Sequence, residues 1–192
     1  MSAEPWLHRM RVADGRAIVI RRAAAGDETS IQRFTEALSA DSRYQRYFIP
    51  LRELPQMMLD RLVQPDDEQG VALLAFAADG ARELIGIAQY DAVDAHEAEV
   101  AVIVSEGWRR VGLAKALLTD LEVFIIAAGM VSVRADILRE NGAALTLARQ
   151  LGGVIDTRSR VPYTIAVVKA MTSLPRRDRG LRATPLTGHG KI

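Results

Sequence analysis

The sequence contains no cysteine among its 192 residues. Disulfide scaffolds, thiolate metal sites and cysteine nucleophiles are therefore excluded from the chemistry of this chain. Histidine is scarce as well, and the wide spacing of His8, His96 and His189 argues against a zinc site, so we expect no metal. There is no apolar run long enough to span a bilayer and no secretory signal at the start, so we expect a cytoplasmic protein without a membrane partner.

An excess of either charge is also missing, because 25 Lys and Arg face 24 Asp and Glu, for a formal net charge of +1. This balance provides no general attraction to nucleic acid, and we expect no nucleic-acid partner. Hydrophobic residues reach 49%, enough for a real core, and the length suits one domain with appendages. We predict an N-terminal extension over 1–15, a domain over 16–172 and a flexible Arg-rich C-terminal tail over 173–192.

Strand and helix patterns predict an α+β (mixed α/β) fold built on one sheet. Alternating or β-branched runs mark strands, and apolar residues at helical spacing mark helices. The predicted strands are 16–23, 71–79, 83–93, 96–104, 131–138 and 163–171. The predicted helices are one that begins after Asp27, two within 43–63, one over 111–128 and one over 143–153. Asp79-Gly80 predicts a hairpin turn between two of the strands.

The joint after the strand at 96–104 has the chemistry of an anion site. The first N–H groups of a helix have no intrahelical partner, and the helix dipole adds positive potential there. Gly112 would let a phosphate approach the backbone closely, because it has no Cβ. Arg109, Arg110 and Lys115 could add charge-assisted hydrogen bonds, which suits a pyrophosphate better than a single carboxylate. The alternative is a solvated helix start with a packing glycine.

The stretch "AEVAVIVSEGWRRVGLAKALLTDLEVFIIAAGM" (98–130), followed by "RADILRENGAALTLARQLGG" (134–153), resembles the GCN5-related N-acetyltransferases (GNAT). In that superfamily an (Arg/Gln)-x-x-Gly-x-(Gly/Ala) loop holds the pyrophosphate of acetyl-CoA, and the resemblance covers residues 16 to about 171. More narrowly, "EALSADSRYQRYFIPLRELPQMMLDRLV" (36–63) and "AEVAVIV" (98–104) are similar to segments of bacterial Pat-type protein lysine acetyltransferases. The resemblance implies the GNAT fold, a single, mostly antiparallel sheet of about six or seven strands, splayed at the cofactor site and flanked by about four helices.

The resemblance further implies that acetyl-CoA is the cosubstrate and indicates its contacts. The backbone of one strand would hydrogen-bond the pantetheine arm where the sheet parts, and a bulge there could aim an N–H at the thioester oxygen. The loop and the helix start would cradle the pyrophosphate, mainly through backbone N–H groups. The implied cofactor-binding residues are Val102, Ile103, Val104, Arg109, Arg110, Val111, Gly112, Leu113, Ala114, Lys115 and Asn141.

Attack of an amine on the thioester needs a base, because an alkyl amine is almost fully protonated at neutral pH. The resemblance implies Glu99, which aligns with the Glu of the Pat-type "AEFAV" strand. The alternative is that Glu97 and Glu99, which share a strand face, both point to solvent. Ala148 stands where many relatives place a tyrosine acid, and Gly153 stands where Phe is usual. Either the CoA thiolate leaves unaided, or it is protonated by one of the tyrosines, Tyr44, Tyr47, Tyr90 or Tyr163.

We therefore predict an acetyl-CoA-dependent N-acetyltransferase that acts on a primary amine by direct attack, with protein lysines, such as those of an acyl-CoA synthetase, as the first-choice acceptor. One alternative is a small-amine acetyltransferase for a polyamine, an amino acid or an aminoglycoside. Glu97, Glu99, Asp91 and Asp94 could supply an acidic cleft for such acceptors. An alternative of another class is a non-catalytic CoA-binding regulatory module.

Overall fold

The structure, a computed structural model, describes residues 7–63, 69–78, 83–159 and 161–171. The turn predicted at Asp79-Gly80 and the tail predicted over 173–192 lie outside these residues. Within them the strands are β1 Leu7–Arg11, β2 Ala17–Arg22, β3 Gly70–Ala77, β4 Leu84–Ala92, β5 Glu97–Val104, β6 Ser132–Leu138, β7 Val154–Asp156 and β8 Thr164–Ala170. The α-helices are α1 Glu28–Ala37, α2 Ala40–Tyr47, α3 Gln56–Val63, α4 Leu113–Ala127 and α5 Gly142–Gln150, and a short 3-10 turn covers Glu106–Trp108.

One sheet contains all of these strands, in the order β1-β2-β3-β4-β5-β6-β8-β7. Neighbouring strands run antiparallel except β5 and β6, which are parallel because α4 carries the chain back between them. This confirms the predicted mixed α/β class and the mostly antiparallel sheet. The described part of the chain has slightly more strands and helices than the resemblance implied.

The two strands that the sequence pattern missed, β1 and β7, lie at opposite edges of the sheet. β1 pairs with β2 along its whole length, so Leu7–Arg11 of the predicted N-terminal extension are part of the sheet. Leu7 is 45% exposed in β1, and Val154 is 70% exposed in the very short β7. Edge strands with little burial leave a weak hydrophobic pattern, which is why periodicity did not detect them.

Each face of the sheet has its own hydrophobic core. α4 covers one face with four side chains that are at most 1% exposed, namely Leu113, Leu117, Leu121 and Ile125. α1 and α3 cover the other face, with Ile31, Phe34, Leu59 and Leu62 among the buried residues. β5 contributes to both cores, since Ala98 and Val104 join the α4 side and Ile103 joins the opposite side. The predicted alternation of this strand is confirmed.

A wedge opens between β5 and β6. The two strands pair only where Glu97–Glu99 lie beside Ser132–Arg134. Beyond that point β5 remains paired with β4 and β6 remains paired with β8, so each strand stays in the sheet with one free side. The predicted splay of the sheet is confirmed, and it leaves backbone groups without a strand partner.

Candidate active site

The direction of the backbone groups along β5 follows from two hydrogen bonds at its ends. Val93 donates its N–H to the Glu97 carbonyl at 2.8 Å, and Ser105 donates its N–H to the Ile85 carbonyl at 3.0 Å. In an antiparallel ladder, every second residue of a strand bonds to the same neighbour. The odd-numbered residues of β5 therefore bond to β4, and these include Ile103, whose side chain is also buried.

The even-numbered residues of β5 point their backbone groups into the wedge. Beyond Glu99, the last paired residue, these are Val100, Val102 and Val104, and the Val104 carbonyl accepts a long 3.4 Å hydrogen bond from Arg109 Nε. The register between β4 and β5 runs without a shift from the Gly86–Val104 pair to the Ala92–Ala98 pair. The bulge that the resemblance implied is therefore not present in this ladder.

Glu99 lies at the closed end of the wedge, on the last residue of β5 that pairs with β6. Its side chain lines a cleft that is open to solvent. Among the residues that the structure describes, none forms a hydrogen bond or an ion pair with the Glu99 carboxylate. The carboxylate is therefore available to a ligand.

The surroundings of Glu99 make it more basic than an ordinary glutamate. Although solvent still reaches the side chain, desolvation by the cleft walls raises its pKa. The negative charges of Asp136 and Asp91 raise the pKa further, whereas the positive charges of Arg46 and Arg134 oppose this shift. A carboxylate with a raised pKa is a stronger proton acceptor once it is ionised.

The neighbouring carboxylates are paired with arginines. Asp136 is bound by Arg134 Nε at 3.3 Å, and both side chains are only 5% exposed. Asp91 forms an ion pair with Arg61 at 3.5 Å. Glu99 is thus distinguished from both by its unpaired state. Across the described ranges, no three His, Asp or Glu side chains are grouped so as to hold a metal ion.

Helix α2 forms the wall of the cleft that faces Glu99. Gln45, Arg46 and Phe48 line the cleft from this side. Arg46 is held in place by donating from Nη2 to Gln89 Oε1 on β4 at 2.7 Å. The sequence analysis did not predict Gln45 or Arg46 as functional residues.

Asn141, a predicted cofactor contact, also lines the cleft. Its side-chain oxygen caps α5 by accepting from the Ala144 N–H at 3.0 Å. Its side-chain nitrogen donates to Gln45 Oε1 on α2 at 3.1 Å. Both polar atoms of the amide are therefore engaged in positioning α5 and α2.

The loop between β5 and α4 has the backbone conformation of an anion cradle. Gly112 has a φ of 88° and Arg110 a φ of 60°, both in the left-handed region. Helix α4 begins at Leu113, two residues later than the pattern predicted. Among the described residues, the N–H groups of Leu113, Ala114 and Lys115 have no acceptor. These groups are free to bind an anion.

The turn between β1 and β2 braces this loop from the side. The Ala13 N–H donates to the Val111 carbonyl at 3.0 Å. Arg16 donates to the Gly107 carbonyl at 3.0 Å and stacks its guanidinium 3.6 Å from the centre of the Trp108 ring. The sequence pattern of the first fifteen residues gave no signal of this support, because the contacts join segments that are far apart in the chain.

Arg109, predicted to bind the cofactor, reaches α2 with its guanidinium group. Its Nη2 donates to Ser42 Oγ at 2.6 Å and lies 3.4 Å from Glu106 Oε1. Ser42 and Glu106 were not predicted as functional residues. A serine that is separated by 67 positions from its arginine partner leaves no local signal in the sequence.

None of the tyrosines that were considered as a general acid lines the cleft. Tyr90 is 1% exposed within the α4 core, and Tyr163 is 80% exposed at the surface. The other two tyrosines, Tyr44 and Tyr47, are likewise not among the residues that line the cleft. Ala148, at the position where relatives carry the tyrosine, does line the cleft.

Gly153 lines the cleft as well, and its lack of a side chain is required by packing. A Cβ there would lie 2.5 Å from Val167 Cγ1 and 2.8 Å from the Ala148 carbonyl oxygen. The residue that is unusual in the sequence is therefore matched to a close approach of α5 and β8.

The splayed sheet is the one that the resemblance to the GNAT acetyltransferases implied. The family described as "Acetyltransferase (GNAT) family" matches residues 32–152, well over half of the chain. The chain therefore belongs to the GNAT family of acetyltransferases.

Similar proteins agree with this assignment. Acetyltransferase PA5475 of Pseudomonas aeruginosa is 29% identical over 110 residues, which are 56% of this chain and 59% of that relative. The GNAT domain of S. lividans PAT superimposes with a TM-score of 0.79 at 24% identity, over 86% of this chain and 97% of that one. The yncA protein of Salmonella typhimurium, solved with its cofactor acetyl-CoA, superimposes with a TM-score of 0.65 at 14% identity, over 84% of this chain and 98% of that one. At these identities the structural likenesses establish the fold.

Proposed function

We propose that this acetyltransferase transfers the acetyl group of acetyl-CoA to a primary amine, with Glu99 as the general base. The observation that carries the proposal is the unpaired carboxylate at the closed end of the wedge, next to free backbone groups of β5. An amine that reaches this point meets a proton acceptor, and a thioester that lies along β5 meets hydrogen-bond donors. The rest of the cleft supports both roles.

The wedge and the loop fit the two halves of acetyl-CoA. The pantetheine arm would lie beside β5 as an added strand and bond to Val102 and Val104, whereas Ile103 contributes by packing because its backbone bonds to β4. The pyrophosphate would bind the free N–H groups that follow Gly112. That yncA has acetyl-CoA as its cofactor supports acetyl-CoA as the cosubstrate. All of the predicted cofactor contacts stay predictions, and these are Val102, Ile103, Val104, Arg109, Arg110, Val111, Gly112, Leu113, Ala114, Lys115 and Asn141.

The reaction needs one proton acceptor on the protein, and solvent takes the second proton. Glu99 takes a proton from the ammonium group, directly or through water, and the neutral amine attacks the thioester carbon. The C–S bond then breaks, the acetyl group stays on nitrogen, and CoA leaves as a thiolate while the second amine proton passes to solvent. Because no tyrosine lines the cleft, the thiolate departs without a tyrosine acid.

We propose protein lysines as the acceptors, for example those of an acyl-CoA synthetase. The segment at 36–63 resembles the Pat-type enzymes, and it forms the cleft wall opposite Glu99. Exposed apolar side chains on this segment, Tyr44 at 42%, Ile49 at 48% and Met57 at 69%, suit contact with a protein surface.

A small polycationic amine is the second candidate, because several carboxylates surround Glu99. Asp91 and Asp136 are already paired with arginines, however, which leaves little net negative charge to attract a polycation. A regulatory module that binds CoA without catalysis is the third candidate, and it would not need the basic Glu99. The boundaries of the domain at 16–172 and the cytoplasmic location stay predictions.

The experiment is an acetyl-transfer assay of the full chain with acetyl-CoA and two sets of acceptors. One set holds folded proteins with exposed lysines, including an acyl-CoA synthetase, and the other holds a polyamine, free amino acids and an aminoglycoside. We expect kcat/KM to be highest for a lysine of a folded protein. A higher kcat/KM for a small amine would mean that small amines, and not protein lysines, are the acceptors. No transfer to any acceptor despite CoA binding would support the regulatory module.

A further inference from the structure

Three polar side chains join the loop that precedes α4 to the first turn of α2. Glu106 and Arg109 come from the loop, and Ser42 comes from α2. Glu106 Oε1 accepts from the Ser42 hydroxyl and from the Ser39 N–H, the latter at 3.1 Å. Arg109 Nη2 donates to Ser42 Oγ at 2.6 Å and lies 3.4 Å from Glu106 Oε1.

The environment of this cluster fixes it firmly. Ser42 is only 3% exposed, so an unbonded hydroxyl there would be costly. Ser39 caps α2 by accepting from the Ser42 N–H at 3.1 Å, which leaves its own N–H for Glu106. Desolvation raises the pKa of Glu106, but the hydrogen bonds from Ser42 and Ser39 outweigh it and lower the pKa to about 2. The carboxylate is therefore ionised at neutral pH.

The cluster has a direct route to the cleft. Ser42 and Arg46 are one helical turn apart on α2, so both lie on the same face of the helix. Arg46 lines the cleft opposite Glu99, as does Gln45. Whatever fixes the first turn of α2 therefore fixes the wall that faces the catalytic carboxylate.

We infer that Ser42, Glu106 and Arg109 form a latch that positions α2 as the acceptor wall, and that Arg109 acts through this latch instead of binding the pyrophosphate. The sequence motif had suggested the opposite role for Arg109. The inference rests on the proposed function, because the acceptor wall has meaning only for an enzyme with an amine acceptor. It makes the three side chains positioning residues for the reaction.

The first test separates an effect on the binding of the acetyl donor, acetyl-CoA, from an effect on the amine acceptor. We expect Arg109→Met to lower kcat/KM for the amine acceptor about tenfold and to leave the Kd of acetyl-CoA, measured by calorimetry, within about twofold of the wild-type value. Arg33→Met is the control, since Arg33 is exposed on α1, far from the predicted cofactor contacts in sequence, and no described residue pairs with its side chain; it should change neither value. A Kd of acetyl-CoA that rises tenfold or more in Arg109→Met, while the binding of S-acetylpantetheine stays unchanged, would overturn the inference.

A conservative variant tells the two roles apart. Arg109→Lys keeps the charge, which is sufficient for a phosphate ligand, but loses the planar fork that reaches both Ser42 and Glu106. We expect it to behave as Arg109→Met does. Restored activity in Arg109→Lys together with tight acetyl-CoA binding would assign Arg109 to the phosphate.

The latch also has a readout that does not depend on turnover. In Ser42→Ala and in Arg109→Met, amide hydrogens of residues 40–47 should exchange faster than in the wild type, and the double variant should be no more affected than either single variant. Unchanged exchange in α2, or additive effects, would overturn the latch. If the wild type acetylates no amine but α2 loosens as expected, the proposed function and the acceptor role fail, and only the contact that fixes α2 stands.

Discussion

A substitution at Gly112 separates an effect on folding stability from an effect on acetyl-CoA binding. Its φ of 88° lies in the left-handed region, and a Cβ built there has no heavy atom within 4 Å. Gly112→Ala should therefore cost only the backbone strain of a left-handed alanine, about 1 kcal/mol. For a chain of this length that cost lowers the Tm by about 2–4 °C.

The effect on acetyl-CoA should be larger. The added methyl group would occupy the approach of the pyrophosphate to the N–H groups that follow Gly112. Losing one hydrogen bond to a charged group costs about 1.5–3 kcal/mol, so the Kd of acetyl-CoA should rise about 10- to 100-fold. Calorimetric titration with acetyl-CoA measures this change, and a melting curve measures the stability change.

Gly129 is a matched control at the other end of α4. It has a φ of 79°, and a Cβ there also has no heavy atom within 4 Å. Gly129→Ala should therefore lower the Tm by a similar amount and leave the Kd of acetyl-CoA unchanged. Wild-type affinity in Gly112→Ala, or an equal loss in Gly129→Ala, would refute the placement of the pyrophosphate.

Three further variants test other parts of the account. Glu106→Gln should flatten the acid side of the plot of unfolding free energy against pH, measured by urea unfolding. The pKa of Glu106 is lowered from 4.5 to about 2 in the folded state. Its stabilising effect is therefore present above the pKa of the unfolded state and is lost as the pH falls through the pKa of the folded state. An unchanged pH dependence would contradict this. Arg46→Met should raise the pKa of Glu99 and shift the acid limb of kcat/KM to higher pH, because Arg46 opposes that rise in the wild type; a limb that does not move would contradict it. Gly153→Ala should lower the free energy of unfolding by about 1–3 kcal/mol because of overpacking against Val167, whereas Gly142→Ala, which has open space around it, should not.

The sequence predicted the central part of the fold because local and global signals agree there. The alternation of β5 and the apolar stripe of α4 each indicate a buried face, and the structure buries those faces. The resemblance added the splay between β5 and β6, which no periodicity reveals. The short edge strands escaped prediction because backbone pairing, and not burial, holds them in the sheet.

The side-chain contacts of the candidate site could be predicted only in part. Glu99 and Gly112 lie within the local motif, so the sequence alone could put them forward as candidates together with their neighbours. The engagement of Arg109 with Ser42 and that of Asn141 with Gln45 join positions far apart in the chain. The direction of the Ile103 backbone depends on the phase of the β4–β5 ladder, which the sequence does not determine.

The basic Glu99 also has a consequence for stability. Its pKa in the folded state is raised above the ordinary 4.5, so its contribution to stability is fully present below that value and is lost as the pH rises through the folded pKa. Glu99→Gln removes this loss of stability at higher pH, because glutamine does not ionise. The variant should therefore melt at or above the wild-type Tm at neutral pH, which excludes unfolding as the cause of any lost activity.

The most direct test of the account is the pH profile of kcat/KM for wild type and Glu99→Gln, with Glu97→Gln as the control from the same strand face. We predict that Glu99→Gln loses about 10²- to 10⁴-fold in kcat, loses the acid limb of the profile and keeps its acetyl-CoA affinity, while Glu97→Gln retains the wild-type profile. A Glu99→Gln enzyme with wild-type turnover and an unchanged acid limb would contradict the assignment of Glu99 as the base.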